Sequence, residues 1–217
     1  MTKYLCAVDV GTRSARAGLF LFDGAMVGRE VEPFPVHEEQ GLRAEYSSDA
    51  IWAAVCTAVQ RLVAPVPAAD IAALAFDATC SLVLRDRSGA ALPLGPDGRD
   101  TIAWFDHRAV AEAAECTATD HSLIGHLGGA MSPEMQTPKL MWVKRHRPDL
   151  WEALGEASDL TDHLTRRAVG HPVYSACTLA AKWPYLPQSG GWQQPFLHSI
   201  GLEDLTTRLS LPDQADP

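Results

Sequence analysis

The sequence AVDVGTRSARAGLF, at residues 7–20, places a polar cluster between two apolar segments. Tyr4–Val10 is rich in apolar and β-branched residues and stops at a glycine, which predicts a buried strand. Residues 17–22 predict a second strand that ends at an Asp-Gly turn signal, and residues 25–34 predict a third. We therefore expect the chain to begin with a three-stranded antiparallel meander.

A helix and a return strand are predicted next. Residues 47–49 supply helix-capping side chains, and apolar residues then recur on one face until Pro65. Residues 71–76 are short and apolar, which predicts a buried strand that lies parallel to the first and is reached through that helix. Residues 81–85 predict a further strand. This order predicts an α/β fold with a mixed sheet and without Rossmann alternation.

The second half of the chain is predicted to be rich in helix. Helices are expected over residues 106–119, 138–147 and 160–168, whereas residues 172–192 are expected to form a loop. Residues 128–142 are interpreted as structural, namely a Gly- and Pro-containing loop that leads into a helix with an inward apolar face.

Composition and charge exclude several classes of partner. The formal net charge of −9 argues against general binding to nucleic acid or to anionic membranes, because both are polyanions. Five scattered cysteines without a CxxC pair favour a reduced, cytoplasmic protein. The sequence shows no signal-peptide pattern and no apolar run of the ~18–20 residues that a membrane span requires.

The polar cluster of the first hairpin is a candidate phosphate site. A carboxylate at the end of a buried strand is costly unless it is paired or holds a metal, so Asp9 is a candidate ligand of Mg²⁺, directly or through water. Hydroxyl, backbone N–H and guanidinium groups suit phosphate oxygens, and a glycine permits close approach. The candidate phosphate-binding residues are Gly11, Thr12, Arg13, Ser14 and Arg16. The alternative is an ordinary hairpin turn with solvated arginines.

Three further clusters combine hydrogen-bonding groups with apolar surface, as a sugar site would. They are FDATCSL at 76–82, AWFDHRA at 103–109 and CTLAAKWPY at 177–185, and the first follows the carboxyl end of a strand, where ligands of α/β proteins usually bind. The candidate substrate-binding residues are Asp77, Thr79, Cys80, Ser81, Trp104, Asp106, His107, Arg108 and Lys182.

Each of these clusters also has a purely structural alternative. Cys80 would be a small buried thiol. Asp106 would cap a helix while Arg108 faces solvent. Lys182 would extend its ammonium to water from a helix end.

Five motifs, taken in order, resemble the FGGY family of carbohydrate kinases, in particular its ribulokinase-type members and the D-ribulose kinase subgroup. They are DVGTRSAR (9–16), FDATCSLVL (76–84), AWFDHRA (103–109), GGAMSPEMQTPKL (128–140) and AAKWPY (180–185). The first motif alone is only moderately specific, because actin-like and Hsp70-like ATPases use a similar hairpin motif. The occurrence of all five motifs in this order is a strong indication of the resemblance.

The resemblance implies an actin-like ATPase, or ribonuclease-H-like, fold of two domains with the active site in the cleft between them. It implies Mg²⁺-assisted phosphorylation of a sugar or polyol hydroxyl by ATP through in-line transfer, with D-ribulose as the expected substrate and L-ribulose, xylulose or ribitol as alternatives. Asp9 would organise Mg²⁺, residues 12–16 would line the phosphate path, and residues 79–81, residues 104–108 and Lys182 would line the sugar pocket.

Departures from the family pattern limit what these residues are expected to do. The family's catalytic base, an aspartate in a Gly-x-x-Asp segment, is not found in residues 1–217, and neither is the second, nucleotide-binding domain. We therefore expect an incomplete N-terminal kinase domain that is inactive by itself, and a homodimer in the full-length form. A non-catalytic sugar-binding or interaction module is the alternative, and the acidic net charge disfavours a ribonuclease-H-like nuclease.

Overall fold

The computed structural model describes residues 2–39, 42–209, 211–212 and 215. The strands are β1 Tyr4–Val10, β2 Ser14–Phe20, β3 Met26–Pro33, β4 His37–Glu39, β5 Arg43–Tyr46, β6 Ile71–Ala78, β7 Leu82–Asp86, β8 Thr101–Ile102, β9 Leu154–Asp159, β10 Tyr185–Leu186 and β11 Gly191–Trp192. The helices are α1 Ser48–Val63, α2 Val110–Ala118, α3 Ser122–His126, α4 Gln136–His146, α5 Pro148–Ala153, α6 Leu160–Val169, α7 Ala176–Lys182, α8 Gln194–Ser199 and α9 Leu205–Arg208, with 3₁₀ turns at Ala68–Asp70 and Pro187–Ser189.

The first sheet has the strand order β3-β2-β1-β6. Strands β1, β2 and β3 are antiparallel, and β6 lies parallel to β1, so the predicted meander and parallel return strand are confirmed. Strand β2 begins at Ser14, three residues earlier than predicted. The alternation of buried alanines with polar residues extends the strand to this point, and only residues 11–13 form the turn.

Helix α1 covers one face of this sheet. Its side chains Ile51, Val55, Ala58 and Leu62 are buried against the sheet, and each large apolar side chain so buried contributes about 1.5–3 kcal/mol. The hydroxyl of Ser47 accepts a hydrogen bond from the Ala50 amide, which caps the first turn.

The second sheet has the order β4-β5-β8-β7-β9, with every pair antiparallel. The predicted strand at 81–85 is observed as β7 but belongs to this second sheet, and the sequence did not predict its short neighbours. Helices α2, α4 and α5 pack on this sheet over a core that includes Leu84, Leu140 and Trp151. Helix α1 is joined to the second sheet at Ser48, which donates from both its amide and its hydroxyl to the buried Asp100, the residue before β8.

Two predictions for the second half of the chain are wrong in detail. Residues 106–109 are not helical and the helix begins only at Val110, because the Asp106 carboxylate accepts from the Arg108 amide in a turn ahead of the helix and also from the distant Ala44 amide. Residues 172–192 are not a plain loop, since they contain α7 and the small β10–β11 sheet, packed through Trp183 and Tyr185 against Trp192. Within the described residues, no helix is long and apolar enough to cross a bilayer.

Candidate phosphate and sugar site

The hairpin between β1 and β2 is tight and closes on itself. The Gly11 amide donates to the Ser14 carbonyl at 3.0 Å, and the Arg16 guanidinium lies over the glycine. A Cβ on Gly11 would come within 2.5 Å of Arg16 Nη2, so the absence of a side chain at Gly11 leaves room for the Arg16 guanidinium. The guanidinium reaches Asp9, with 2.9 Å between Arg16 Nη2 and Asp9 Oδ2.

Asp9 and Asp77 lie on the face of the first sheet opposite α1. Arg16, Asp9 and Asp77 are neighbours in register across β2, β1 and β6, and the Asp9 side chain is 54% exposed. A groove of about 480 Å³ runs along this face. One or two accessible carboxylates beside a phosphate site match the way in which proteins bind Mg²⁺, so the donor set fits this ion. No cluster of three metal-ligating side chains occurs in the described part of the chain.

Thr12 connects the hairpin to the candidate sugar loop. Its hydroxyl Oγ1 accepts a hydrogen bond from Trp104 Nε1 at 3.2 Å, and its carbonyl accepts one from the buried Tyr46 hydroxyl at 3.0 Å. The Trp104 amide in turn donates to Ser81 Oγ at 3.1 Å. The structure therefore brings together three of the predicted clusters, which are separated in sequence by up to 92 residues.

Arg13 pairs with a glutamate at the surface of the hairpin. Its guanidinium forms an exposed ion pair with Glu38 at 2.6 Å, and its side chain is 68% exposed. The Ser14 side chain lies on β2, at the edge of the turn. Both residues sit on the hairpin as predicted, and within the described residues neither side chain forms a hydrogen bond with Thr12 or Trp104.

The segment after β6 carries polar groups of different kinds. Asp77 is exposed and accepts a hydrogen bond from the following Ala78 amide. The Thr79 hydroxyl is buried and has no partner among the described residues. Burial raises the pKa of the half-buried Cys80 thiol to about 11, so this thiol is protonated at neutral pH and the small-thiol interpretation is favoured over a nucleophile.

Asp106 and Arg108 belong to a buried ion network. The Arg108 guanidinium contacts Asp106 at 2.7 Å and Glu45 at 2.8 Å, while a second arginine, Arg99, approaches Glu45 at 3.3 Å. The Asp106 side chain is fully buried and the Arg108 side chain only 3% exposed. The solvent-facing alternative for Arg108 is therefore wrong. The capping alternative for Asp106 is wrong as well, because the helix begins at Val110 with Ala109 as its N-cap, while the Asp106 carboxylate accepts from the Arg108 amide ahead of the helix and from the distant Ala44 amide.

His107 and Lys182 lie at the margins of this region. His107 Nε2 is 3.1 Å from Glu134 Oε1, in the segment that leads into α4. Lys182 is the last residue of α7 and is half-buried, and its charge acts on the Cys80 thiol and on the Asp159 carboxyl. Its place at a helix end agrees with both interpretations made from the sequence.

Sequence reasoning missed three buried polar residues behind these loops: Gln136, Lys139 and Asp159. Burial lowers the pKa of the Lys139 ammonium to about 7 and raises that of the Asp159 carboxyl to about 7. The available signal was a glutamine and a lysine three residues apart on a helix whose other buried side chains are mostly apolar.

Comparison with known proteins identifies the family. Residues 4–212 match the N-terminal domain model of the FGGY family of carbohydrate kinases, and the chain belongs to this family. An FGGY carbohydrate kinase domain-containing protein of Danio rerio is 42% identical over 93% of this chain and 38% of its own length. A D-ribulokinase of Saccharomyces cerevisiae is 34% identical over 94% of this chain and 30% of its own length. The chain thus spans less than half the length of these relatives.

Solved structures show the same fold. A ligand-bound xylulose kinase from Lactobacillus acidophilus superposes with a TM-score of 0.81 at 17% identity, over 98% of this chain and 46% of that one. A gluconate kinase from the same species gives a TM-score of 0.82 over 99% of this chain. The predicted actin-like ATPase fold is confirmed.

Proposed function

We propose that this chain is the sugar-binding and phosphate-binding part of a kinase that transfers the γ-phosphoryl group of ATP to a pentulose, D-ribulose first among them. The observation that carries the proposal is the Trp104–Thr12 hydrogen bond, which puts the candidate phosphate loop beside the candidate sugar loop. In-line phosphoryl transfer needs the phosphate donor and the acceptor hydroxyl to be adjacent. The name of the yeast relative supports the choice of D-ribulose.

The residues of this chain would mainly position the reactants. Arg16 and the backbone of residues 11–13 would contact phosphate oxygens, with Arg13 close by at the hairpin surface. Asp9, with Asp77 beside it, would hold Mg²⁺, and the bound ion would neutralise charge that develops on the phosphates. The sugar would lie against Trp104, the segment 79–81, His107 and Lys182. Asp106 and Arg108 would support this loop from inside the protein.

Other parts of the whole protein would complete the reaction. We assign the base that accepts the hydroxyl proton and the adenosine pocket to segments outside these 217 residues, in agreement with the greater length of the relatives. By itself the chain is expected to bind sugar weakly and to turn over little. Five unpaired cysteines support a reducing, cytoplasmic location.

The test is an ADP-release assay on the full-length gene product with D-ribulose, L-ribulose, D-xylulose and ribitol. We expect the highest kcat/KM for D-ribulose. We also expect Asp9→Ala to lower kcat at least about a hundredfold, since it removes the metal-organising carboxylate. Asp23→Ala, in the next hairpin turn, is the matched control and should leave kcat unchanged. Sugar binding without turnover in the full-length protein would favour the non-catalytic module, and activity that survives in Asp9→Ala would contradict the Mg²⁺ assignment.

A further inference from the structure

The first turn of α4 contacts both candidate sugar loops from inside the protein. Gln136, at its first residue, is fully buried, and its Nε2 donates to the Cys80 carbonyl at 3.1 Å and to Asp159 Oδ2 at 2.9 Å. One amide nitrogen therefore ties the segment after β6 to the end of β9, where Asp159 is itself fully buried.

Lys139, one turn further along α4, holds the other loop. It is fully buried, and its Nζ donates to the carbonyls of Ala103 at 2.9 Å and Trp104 at 3.4 Å. Its two acceptors are backbone carbonyls of the segment that begins the AWFDHRA motif. Burying an ammonium group is costly even when it is hydrogen-bonded, and apolar neighbours such as Leu140 and Met141 already supply the packing of this helix. The lysine is thus poorly explained by core packing.

Residues three apart on a helix face the same side, so Gln136 and Lys139 act from one rigid surface. Each holds a backbone carbonyl of one loop, and Gln136 also donates to the Asp159 side chain. The two loops contact each other through Trp104 and Ser81. The pairing of β7 with β8 and the Trp104–Ser81 hydrogen bond bring the two loops together, and α4 holds the backbone of each loop next to that contact. A site that recognises hydroxyl groups by hydrogen bonds discriminates between stereoisomers through such fixed distances.

We propose that Gln136 and Lys139 are positioning residues that fix the spacing between the segment 79–81 and the segment 103–108, and that this spacing determines which pentulose or pentitol the site accepts. The role in selecting the sugar, the second half of this statement, rests on the proposed sugar-binding function. The first half does not.

The spacing role is tested by hydrogen–deuterium exchange on this chain. Lys139→Met and Gln136→Met remove the donors at nearly constant volume. We expect amide exchange in peptides covering 79–82 and 103–108 to rise about tenfold in both variants, because these loops lose their anchor, while α1 and α5 stay unchanged. Lys144→Met is the matched control, since Lys144 lies on the same helix and donates to Gly201 and Asp204, away from both loops. Exchange that stays at the wild-type level in the loops, or rises equally throughout the chain, would overturn the proposal.

The selectivity role is tested by calorimetric titration of the same variants with D-ribulose, D-xylulose and ribitol. A misplaced loop should lower the ratio of the D-ribulose affinity to the ribitol affinity about tenfold, whereas general destabilisation would leave this ratio unchanged below the melting temperature. An unchanged ratio with weaker binding to every sugar would overturn the selectivity role.

Absence of binding by the wild-type chain would count against both the selectivity role and the proposed function of this chain, and the exchange experiment would still decide the spacing role. If Lys139→Met does not fold, Gln136→Met carries both tests.

Discussion

The first hairpin and the AWFDHRA loop carry similar numbers of charged residues but use them in opposite ways. On the hairpin, Asp9, Arg13 and Arg16 are each paired once, and between 40% and 68% of each side chain is exposed. In the loop, Asp106 and Arg108 are buried and share several hydrogen bonds. Exposed single pairs can be exchanged for a ligand at little cost, whereas buried networks cannot. The hairpin is therefore suited to binding phosphate, whereas the buried ion pairs of the AWFDHRA loop stabilise the conformation of that loop.

Removing one partner of the buried network should have the largest effect. Arg108→Met leaves the buried Asp106 carboxylate without a guanidinium partner and leaves Glu45 with Arg99 alone, which should lower the free energy of unfolding by about 3–5 kcal/mol. Urea titration followed by circular dichroism measures this loss. A change below about 1 kcal/mol would show that the two carboxylates find other partners and that the contrast with the hairpin is false.

The buried His163 predicts a loss of stability in acid. Burial, together with the charges of Arg85 and Arg167, lowers the pKa of His163 to about 3, and the charge of Asp49 opposes this shift. In the unfolded chain the imidazole has a pKa of about 6.5, so below that pH the unfolded state binds a proton that the folded state does not. Stability should therefore fall as the pH decreases, by up to about 2 kcal/mol from this residue between pH 6.5 and pH 5.

The contribution of His163 is isolated by a difference between two proteins. Neither ring nitrogen has a hydrogen-bond partner among the described residues, so His163→Leu removes the titrating group without orphaning a partner. Urea titrations of the wild type and the variant at pH 7 and pH 5 should show a smaller acid loss in the variant. Equal losses would mean that His163 accepts its proton in the folded state.

The Thr12–Trp104 contact should have an intermediate effect. Trp104→Phe keeps an aromatic ring but loses the Nε1 donor, and Thr12→Val loses the acceptor. Each change should cost about 0.5–1.5 kcal/mol, and the double variant should cost less than the sum of the two, because both remove the same hydrogen bond. Strict additivity in urea titrations would mean that the two loops are not coupled.

The first sheet could be predicted from local sequence because its signals are local. Alternating burial along β1 and β2, the Asp-Gly turn and the apolar face of α1 all lie within single short segments. The start of β2 was missed because Ser14 and Arg16 were assigned to the turn for their chemistry, although they continue the same alternation.

The second sheet and the support of the site could not be predicted in this way. Strands β4, β5 and β8 have two to four residues each, too few to show a period, and β5 pairs with β8 across more than 50 residues of sequence. The amide of Ala44 donates to Asp106, 62 residues away. Likewise, Lys139 lies in a helix whose neighbouring residues are apolar, and only the fold shows that its ammonium meets the carbonyls of a distant loop.

The smallest effect on stability is expected at Arg13. Arg13→Gln removes an exposed ion pair with Glu38, and such pairs contribute at most about 1 kcal/mol, so the unfolding free energy should change by less than about 0.5 kcal/mol. If the guanidinium lies on the phosphate path, as the family resemblance implies, the same change should raise the KM for ATP in the full-length protein, and more so at low ionic strength. Glu38→Gln breaks the same pair but keeps the arginine, so it should leave that KM unchanged or lower it. Equal KM values in both variants would mean that Arg13 only stabilises the surface of the hairpin, and that phosphate contact from the arginines of this loop falls to Arg16.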